Sequence, residues 1–186
     1  MKLRDLVTAA LLVSAGVVLN LFIRIPLLPN APFLEYSPAD VPTLLGTFAL
    51  GPFLGSLIAL LRAIIHFTHN TGGAVGLVMD IASGVTLAAV AGLIYVRWKT
   101  RTGAALALFG GSVAMIAVVM AINIFWAFPA FLGISTSEAA NMALSTALPF
   151  NLIKCVLNGL IVFFLYKPLS AILHGRDASE KDLSKN

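Results

Sequence analysis

Six apolar segments follow one another along this chain, broken only by proline, glycine or short clusters of basic residues, and that pattern admits few folds. The first covers residues 6–23. Pro26, Pro29, Pro32 and Pro38 then break the helical pattern, so residues 24–40 form a loop. A short second helix starts near Pro42, where proline is tolerated in the first turn, and stops at Gly51-Pro52. The third covers 52–67 and ends in turn chemistry at 69–73. The fourth covers 74–96, and Arg97, Lys99 and Arg101 interrupt the apolar run after it. The fifth, 103–128, stops at Pro129; the sixth, 141–166, has Pro168 just beyond. Only 11% of the residues are charged and 59% are hydrophobic, against about 25% charged in ordinary soluble domains. A soluble chain of this size has no interior large enough for so much apolar surface. The predicted fold is therefore an all-α membrane protein, a six-transmembrane-helix bundle over residues 1–173. A polar cytoplasmic tail, 174–186, is expected to be disordered. The second helix, at ~1.5 Å per residue, reaches only part way across a bilayer. The 24–40 loop is expected to fold over it as an extracellular lid.

The formal net charge of +4 does not point to nucleic acid, because the basic residues form no single patch. They sort by topology instead. With the N-terminus inside, Lys2, Arg4, Arg97, Lys99, Arg101, Lys167, Arg176, Lys181 and Lys185 fall on the cytoplasmic side and only Arg24 outside. That asymmetry predicts a multi-pass protein of the cell membrane with both termini cytoplasmic. The first apolar stretch lacks a clear cleavage site, so it reads as a retained span. The single cysteine, Cys155, lies inside a helix and has no intrachain partner for a disulfide.

Polar residues inside the spans carry the functional signal. Asn151 and Lys154 sit within the apolar run 147–164, and no Asp or Glu occurs between Glu138 and Asp177. An unpaired ammonium at a helix centre costs roughly 2.5–3.5 kcal/mol on insertion scales. Positions i and i+3 share a helix face, so this face offers an amide and an ammonium to a ligand. Asp80 is the one acid in reach by this reading. Arg62 and Asp80 read equally well as a buried pair locking helix three to helix four, and Asn123 as an interhelical hydrogen bonder. All five fall in the outer half of the bundle by helix rise. Phe33, Tyr36, Phe48, Met79, Phe125, Trp126 and Phe150 are candidate apolar walls, although each alone is more often core or interface belt.

The segment Phe33-Leu34-Glu35-Tyr36-Ser37-Pro38-Ala39-Asp40-Val41-Pro42, followed by Gly46-Thr47-Phe48-Ala49-Leu50-Gly51-Pro52, resembles the signature of riboflavin-specific S components of energy-coupling factor (ECF) transporters. So does Leu148-Pro149-Phe150-Asn151-Leu152-Ile153-Lys154. The resemblance implies a substrate-binding subunit that captures a vitamin outside and hands it to a transmembrane coupling protein and two ATPases. It implies a flavin held by Asn123, Asn151 and Lys154, with Asp80 and Met79 on helix four and Leu34 and Tyr36 from the lid. It also implies docking on the coupling protein through small residues of the first helix, here Ala10 and Ser14. Riboflavin would be the transported ligand, with no cofactor and no metal. Two positions depart from the family pattern. Ser37 stands where an acid is common, and Gly76-Leu77-Val78-Met79-Asp80 stands where Gly-Glu-Leu-x-Asn is common. Another vitamin, folate or pantothenate, is the alternative ligand.

Other function classes have thinner support. His66 and His69 at i, i+3, with Asp80 near, suggest a metal enzyme. No His-Glu-x-x-His, Gly-x-Ser-x-Gly or phosphate-binding Gly-x-x-x-x-Gly-Lys occurs. A stand-alone small transporter is the remaining class. The chain has no nucleotide motif, so energy for uptake must come from a partner.

Overall fold

The computed structural model describes residues 2–69 and 72–183, with side chains described as far as Leu165. Among the described residues, six helices make one bundle. They are α1 (Leu3–Phe22), α2 (Asp40–Leu50), α3 (Pro52–Phe67), α4 (Gly73–Arg97), α5 (Arg101–Leu132) and α6 (Thr136–Leu165). Of these, α1, α4, α5 and α6 are long and apolar enough to cross a membrane; α2 and α3 are shorter. Outward-facing Phe22, Phe109, Phe125 and Phe164 are each more than 70% exposed. In water such a surface would aggregate; against acyl chains it is the solvated face.

Each helix buries one face. Ala9, Val13, Gly16 and Asn20 recur along α1 at three- and four-residue intervals and turn inward. The main core joins α2, α4, α5 and α6 through Leu44, Phe48, Leu87, Tyr95, Met115 and Val162. Phe48 packs on Tyr95 with ring centroids 4.5 Å apart. The α2–α3 joint needs its glycine, since Gly51 has φ +92°. The joint also packs closely on α4: a Cβ on Gly92 would lie 2.7 Å from Pro52 Cα.

The loop after α1 is a small antiparallel pair, β1 (Ile25–Pro26) with β2 (Glu35–Tyr36), in register Ile25 to Tyr36 and Pro26 to Glu35. It folds back over the bundle end, and Phe33 meets Phe128 edge-on at 6.4 Å.

Several boundaries differ from the sequence expectation. First, α2 begins at Asp40, two residues before Pro42, which draws an acid into the bundle. Second, α5 passes through Pro129 and ends at Leu132, where Gly133 takes a left-handed C-cap with φ +67°. Third, α6 begins at Thr136, behind a capping box in which Ser135 N–H donates to Glu138 Oε2 (2.9 Å) and Glu138 N–H to Ser135 Oγ (3.3 Å). Beyond Leu165 the helical backbone continues to Leu183, past the expected end at Tyr166. Helix over 174–183 replaces the disordered tail expected there, and residues 184–186 lie outside the described residues.

Two turns of π-helix interrupt the last two helices, at Asn123–Ala127 in α5 and Ala143–Ala147 in α6. Each lies just ahead of a proline, Pro129 and Pro149. A proline ring clashes with the carbonyl four residues back and donates no hydrogen bond to it. Those carbonyls belong to Phe125 and Ser145, both inside the widened turns. The π turns thus let apolar helices carry proline through the span, at a type of site often used for function.

Candidate functional site

The lid, the N-terminal part of α4 and the π-interrupted regions of α5 and α6 surround a cavity of about 270 Å³. This is close to the lower end of the ~300–1,000 Å³ usual for small-molecule sites. Asn123, Asn151, Lys154, Asp80, Leu34 and Met79 all line it, so the sequence-predicted polar face and its walls converge in one place. Phe33 and Phe150 supply wall as anticipated.

The remaining predicted walls lie elsewhere. Phe48 is core, and Phe125 and Trp126 face outward, as an aromatic belt would. Phe128 and Phe131, unassigned in the sequence, line the cavity. The π turn puts Asn123, Ala127, Phe128 and Phe131 on that side together. Tyr36 does not line it. The side chain is buried behind the lid and its hydroxyl donates to Asn158 Oδ1 at 2.9 Å. Burial, and then the nearby Asp40 charge, push its phenol above the ordinary value, so it stays protonated as the donor.

The electrostatics revise the reading of Lys154. Its ammonium is not unpaired: Nζ lies 2.8 Å from Asp40 Oδ2. Asp40, not Asp80, is the acid it reaches, supplied by the early start of α2. Asp40 is almost fully buried and also lies 3.1 Å from Arg62 Nη2, while Asn158 Nδ2 donates to its Oδ2 at 3.5 Å. Arg62 Nη2 donates to Asp80 Oδ1 at 2.8 Å, so the α3–α4 lock read from the sequence is present. Asp80 Oδ2 sits 3.1 Å from His66 Nδ1. Arg24 Nη2 lies 3.4 Å from His66 Nε2 and Nη1 lies 3.9 Å from Glu35. Arginine only donates, so Nε2 accepts and the Nδ1–H of His66 donates to Asp80. One chain of polar contacts thus runs from Lys154 through Asp40, Arg62, Asp80 and His66 to the lid.

Close packing holds this chain in place. A Cβ on Gly16 of α1 would lie 2.9 Å from Arg62 Cδ, and one on Gly84 of α4 would lie 3.2 Å from Arg62 Nη2. Asn151 Nδ2 donates to Ala147 O at 2.7 Å, which fixes the amide and leaves its oxygen and second N–H for a ligand. His69 contacts Thr68 Oγ1 at 2.6 Å instead of joining His66 and Asp80, and no three-ligand metal cluster occurs among the described residues. Ala10 and Ser14 do not line the cavity; they sit on the exposed face of α1, with Ser14 Oγ donating to Ala10 O at 2.9 Å.

Asp40 is the charged cavity residue that the sequence reading did not assign. Its signal was the acid placed two residues ahead of an apolar helix. Arg62 and His66, read as a structural pair member and an interfacial residue, line the cavity as well.

A helical membrane bundle with a lidded polar cavity defines a class: a membrane protein that captures a small molecule. The chain belongs to the ECF transporter, substrate-specific component family, whose model matches residues 4–166. It is a transporter's specificity component and not an enzyme. It is 27% identical over 175 residues to the riboflavin transporter RibU of Staphylococcus aureus (strain TCH60), covering 91% of this chain and 92% of that protein. It is 26% identical over 181 residues to the riboflavin transporter FmnP of Bacillus subtilis (strain 168), covering 90% and 94%. A solved structure, described as the S component of a bacterial ECF transporter, superposes with a TM-score of 0.78 at 26% identity, covering 91% of this chain and 97% of that one.

Proposed function

We propose that this chain is a riboflavin-binding S subunit, working with a transmembrane coupling protein and two ATPases to drive uptake. The observation that carries this reading is the cavity itself. Its apolar walls, Phe33, Met79, Phe128, Phe131 and Phe150, suit a flat tricycle, and Asn123, Asn151 and Lys154 suit its polar edge and hydroxylated chain. The names of the full-length relatives support the same ligand. Leu34, Asp80 and Met79 are assigned to the site, and Tyr36 is assigned to holding the lid over it.

The same reading orients the protein. The cavity opens at the end that carries Arg24, opposite the end with Arg97, Lys99 and Arg101. With basic residues inside, the lid faces out and both termini face the cytoplasm. The test is titration of the purified protein with riboflavin, read by flavin fluorescence. Quenching to saturation is expected. A flat titration together with binding of folate or pantothenate would reassign the ligand.

A further inference from the structure

The lid is held to the wall of the bundle unevenly. Arg24 reaches it by long contacts, 3.4 Å to His66 Nε2 and 3.5 Å to the His69 carbonyl. Phe33 meets Phe128 by a ring edge alone. Tyr36 is held differently. Its hydroxyl donates to Asn158 Oδ1 at 2.9 Å, and both side chains are almost fully buried. Away from water, such a bond has no competing partner and gains strength.

Asn158 does not line the cavity. It lies four residues after Lys154, on the same face of α6 and about 6 Å further along. Tyr36 likewise lies four residues before Asp40. The two pairs interlock. Lys154 Nζ at 2.8 Å and Asn158 Nδ2 at 3.5 Å both meet Asp40 Oδ2, while Asn158 Oδ1 takes the tyrosine. A carboxylate paired with an ammonium is ionised and only accepts, so it turns the amide nitrogen of Asn158 toward itself and leaves Oδ1 for the lid. An amide meets a carboxylate with a donor and a hydroxyl with an acceptor at once. Leucine would do neither, and aspartate would set a second negative charge beside Asp40. A buried amide in an apolar run is costly unless both its ends are bonded, and here the bonded ends are the lid and the partner of Lys154.

We propose that Asn158 is a positioning residue for capture. It seats the stem of the lid on α6 through Tyr36, in register with the Lys154–Asp40 pair, and so sets how long the vitamin stays in the closed cavity. The proposal rests on the riboflavin reading, and the experiment includes a readout that needs no ligand.

The purified full chain is compared with Tyr36→Phe, Asn158→Leu and the double variant. Stopped-flow flavin fluorescence gives the association and dissociation rates, and hydrogen exchange on the ligand-free protein follows the lid amides between residues 25 and 36. Tyr36→Phe should speed riboflavin release about two- to tenfold, the worth of one hydrogen bond. Asn158→Leu should speed it at least about tenfold, because it also leaves the tyrosine hydroxyl buried and unsatisfied. Association should stay within about threefold of the parent, as is usual when a contact made after encounter is lost. Lid amides should exchange faster by similar factors while those of α4 and α5 keep their rates. The double variant should release riboflavin no faster than Asn158→Leu alone, since the unpaired hydroxyl is gone. Parental release and lid exchange in both single variants overturn the proposal. Exchange that rises throughout the bundle overturns it too, by making Asn158 a residue of general stability. Release in the double variant equal to the product of the single effects overturns the direct link. Tyr36→Phe, which keeps the ring, decides alone if Asn158→Leu does not fold. A flat flavin signal in the parent overturns the riboflavin reading, and lid exchange then decides for or against the seat by itself.

Discussion

Lys154 shows how one residue serves the cavity and the fold at once. Its ammonium faces the cavity and its partner Asp40 lies almost fully buried among α2, α3 and α6. Removing one member of a buried pair leaves the other charge uncompensated, at about 3–5 kcal/mol. Lys154→Met is therefore expected to weaken riboflavin binding and to lower the unfolding temperature in detergent. The double variant Lys154→Met, Asp40→Asn should recover most of the stability, because Arg62 keeps Asp80, while binding stays weak. A double variant as unstable as the single would show that Lys154 stabilises by something other than this pair. The sequence showed Lys154 as exceptional because a lone ammonium in an apolar run is conspicuous. It did not reveal Asp40, because the partner is more than a hundred positions away and nothing local joins them. Pairing at that range depends on how α2 is set against α6, which no helix period encodes.

At the scale of the element, the helices were readable and their irregularities were not. Apolar length located all six, since a bilayer accepts only helices whose backbone groups are internally bonded. Pro129 read as a stop because proline ends helices in water; here the π turn ahead of it absorbs the clash and α5 runs on to Leu132. The early start of α6 is encoded in Ser135-x-x-Glu138, a capping box. Pro149 offers a test of what the π turns do. In Pro149→Ala the carbonyl of Ser145 regains a donor and the turn at Ala143–Ala147 is free to relax to α-helix. Losing the extra residue of the π turn would rotate the C-terminal remainder of α6 by about 100°, carrying Asn151 and Lys154 off the cavity wall. The expected result is at least about tenfold weaker binding, with an unfolding temperature that holds or rises because helical proline costs up to about 3 kcal/mol. Unchanged affinity in that variant would show that neighbouring contacts, not the proline, set the register.

For the whole molecule, α1 divides two tasks between its faces. The inner face carries Gly16, against which Arg62 packs so closely that a Cβ would sit 2.9 Å from Cδ. The outer face carries Ala10 and Ser14 between the exposed side chains of Val7, Leu11 and Val18, leaving a shallow dip in an apolar ridge. Small residues let a second helix approach closely where packing, not the hydrophobic effect, drives association in a membrane. If the outer face meets the coupling protein, Ala10→Trp and Ser14→Trp should bind riboflavin normally as isolated subunits. They should lose uptake in cells that carry the ATPase module. Gly16→Leu should do the opposite first: it displaces Arg62 from Asp40 and Asp80, so binding by the isolated subunit falls and uptake falls with it. Transport at the normal rate by both tryptophan variants would remove this face from the interface. Loss of binding in those variants would place the face inside a packed contact of the bundle, contrary to its exposure here. The pair of outcomes reads capture and coupling separately, on one helix, because the side chains that serve each task point in opposite directions.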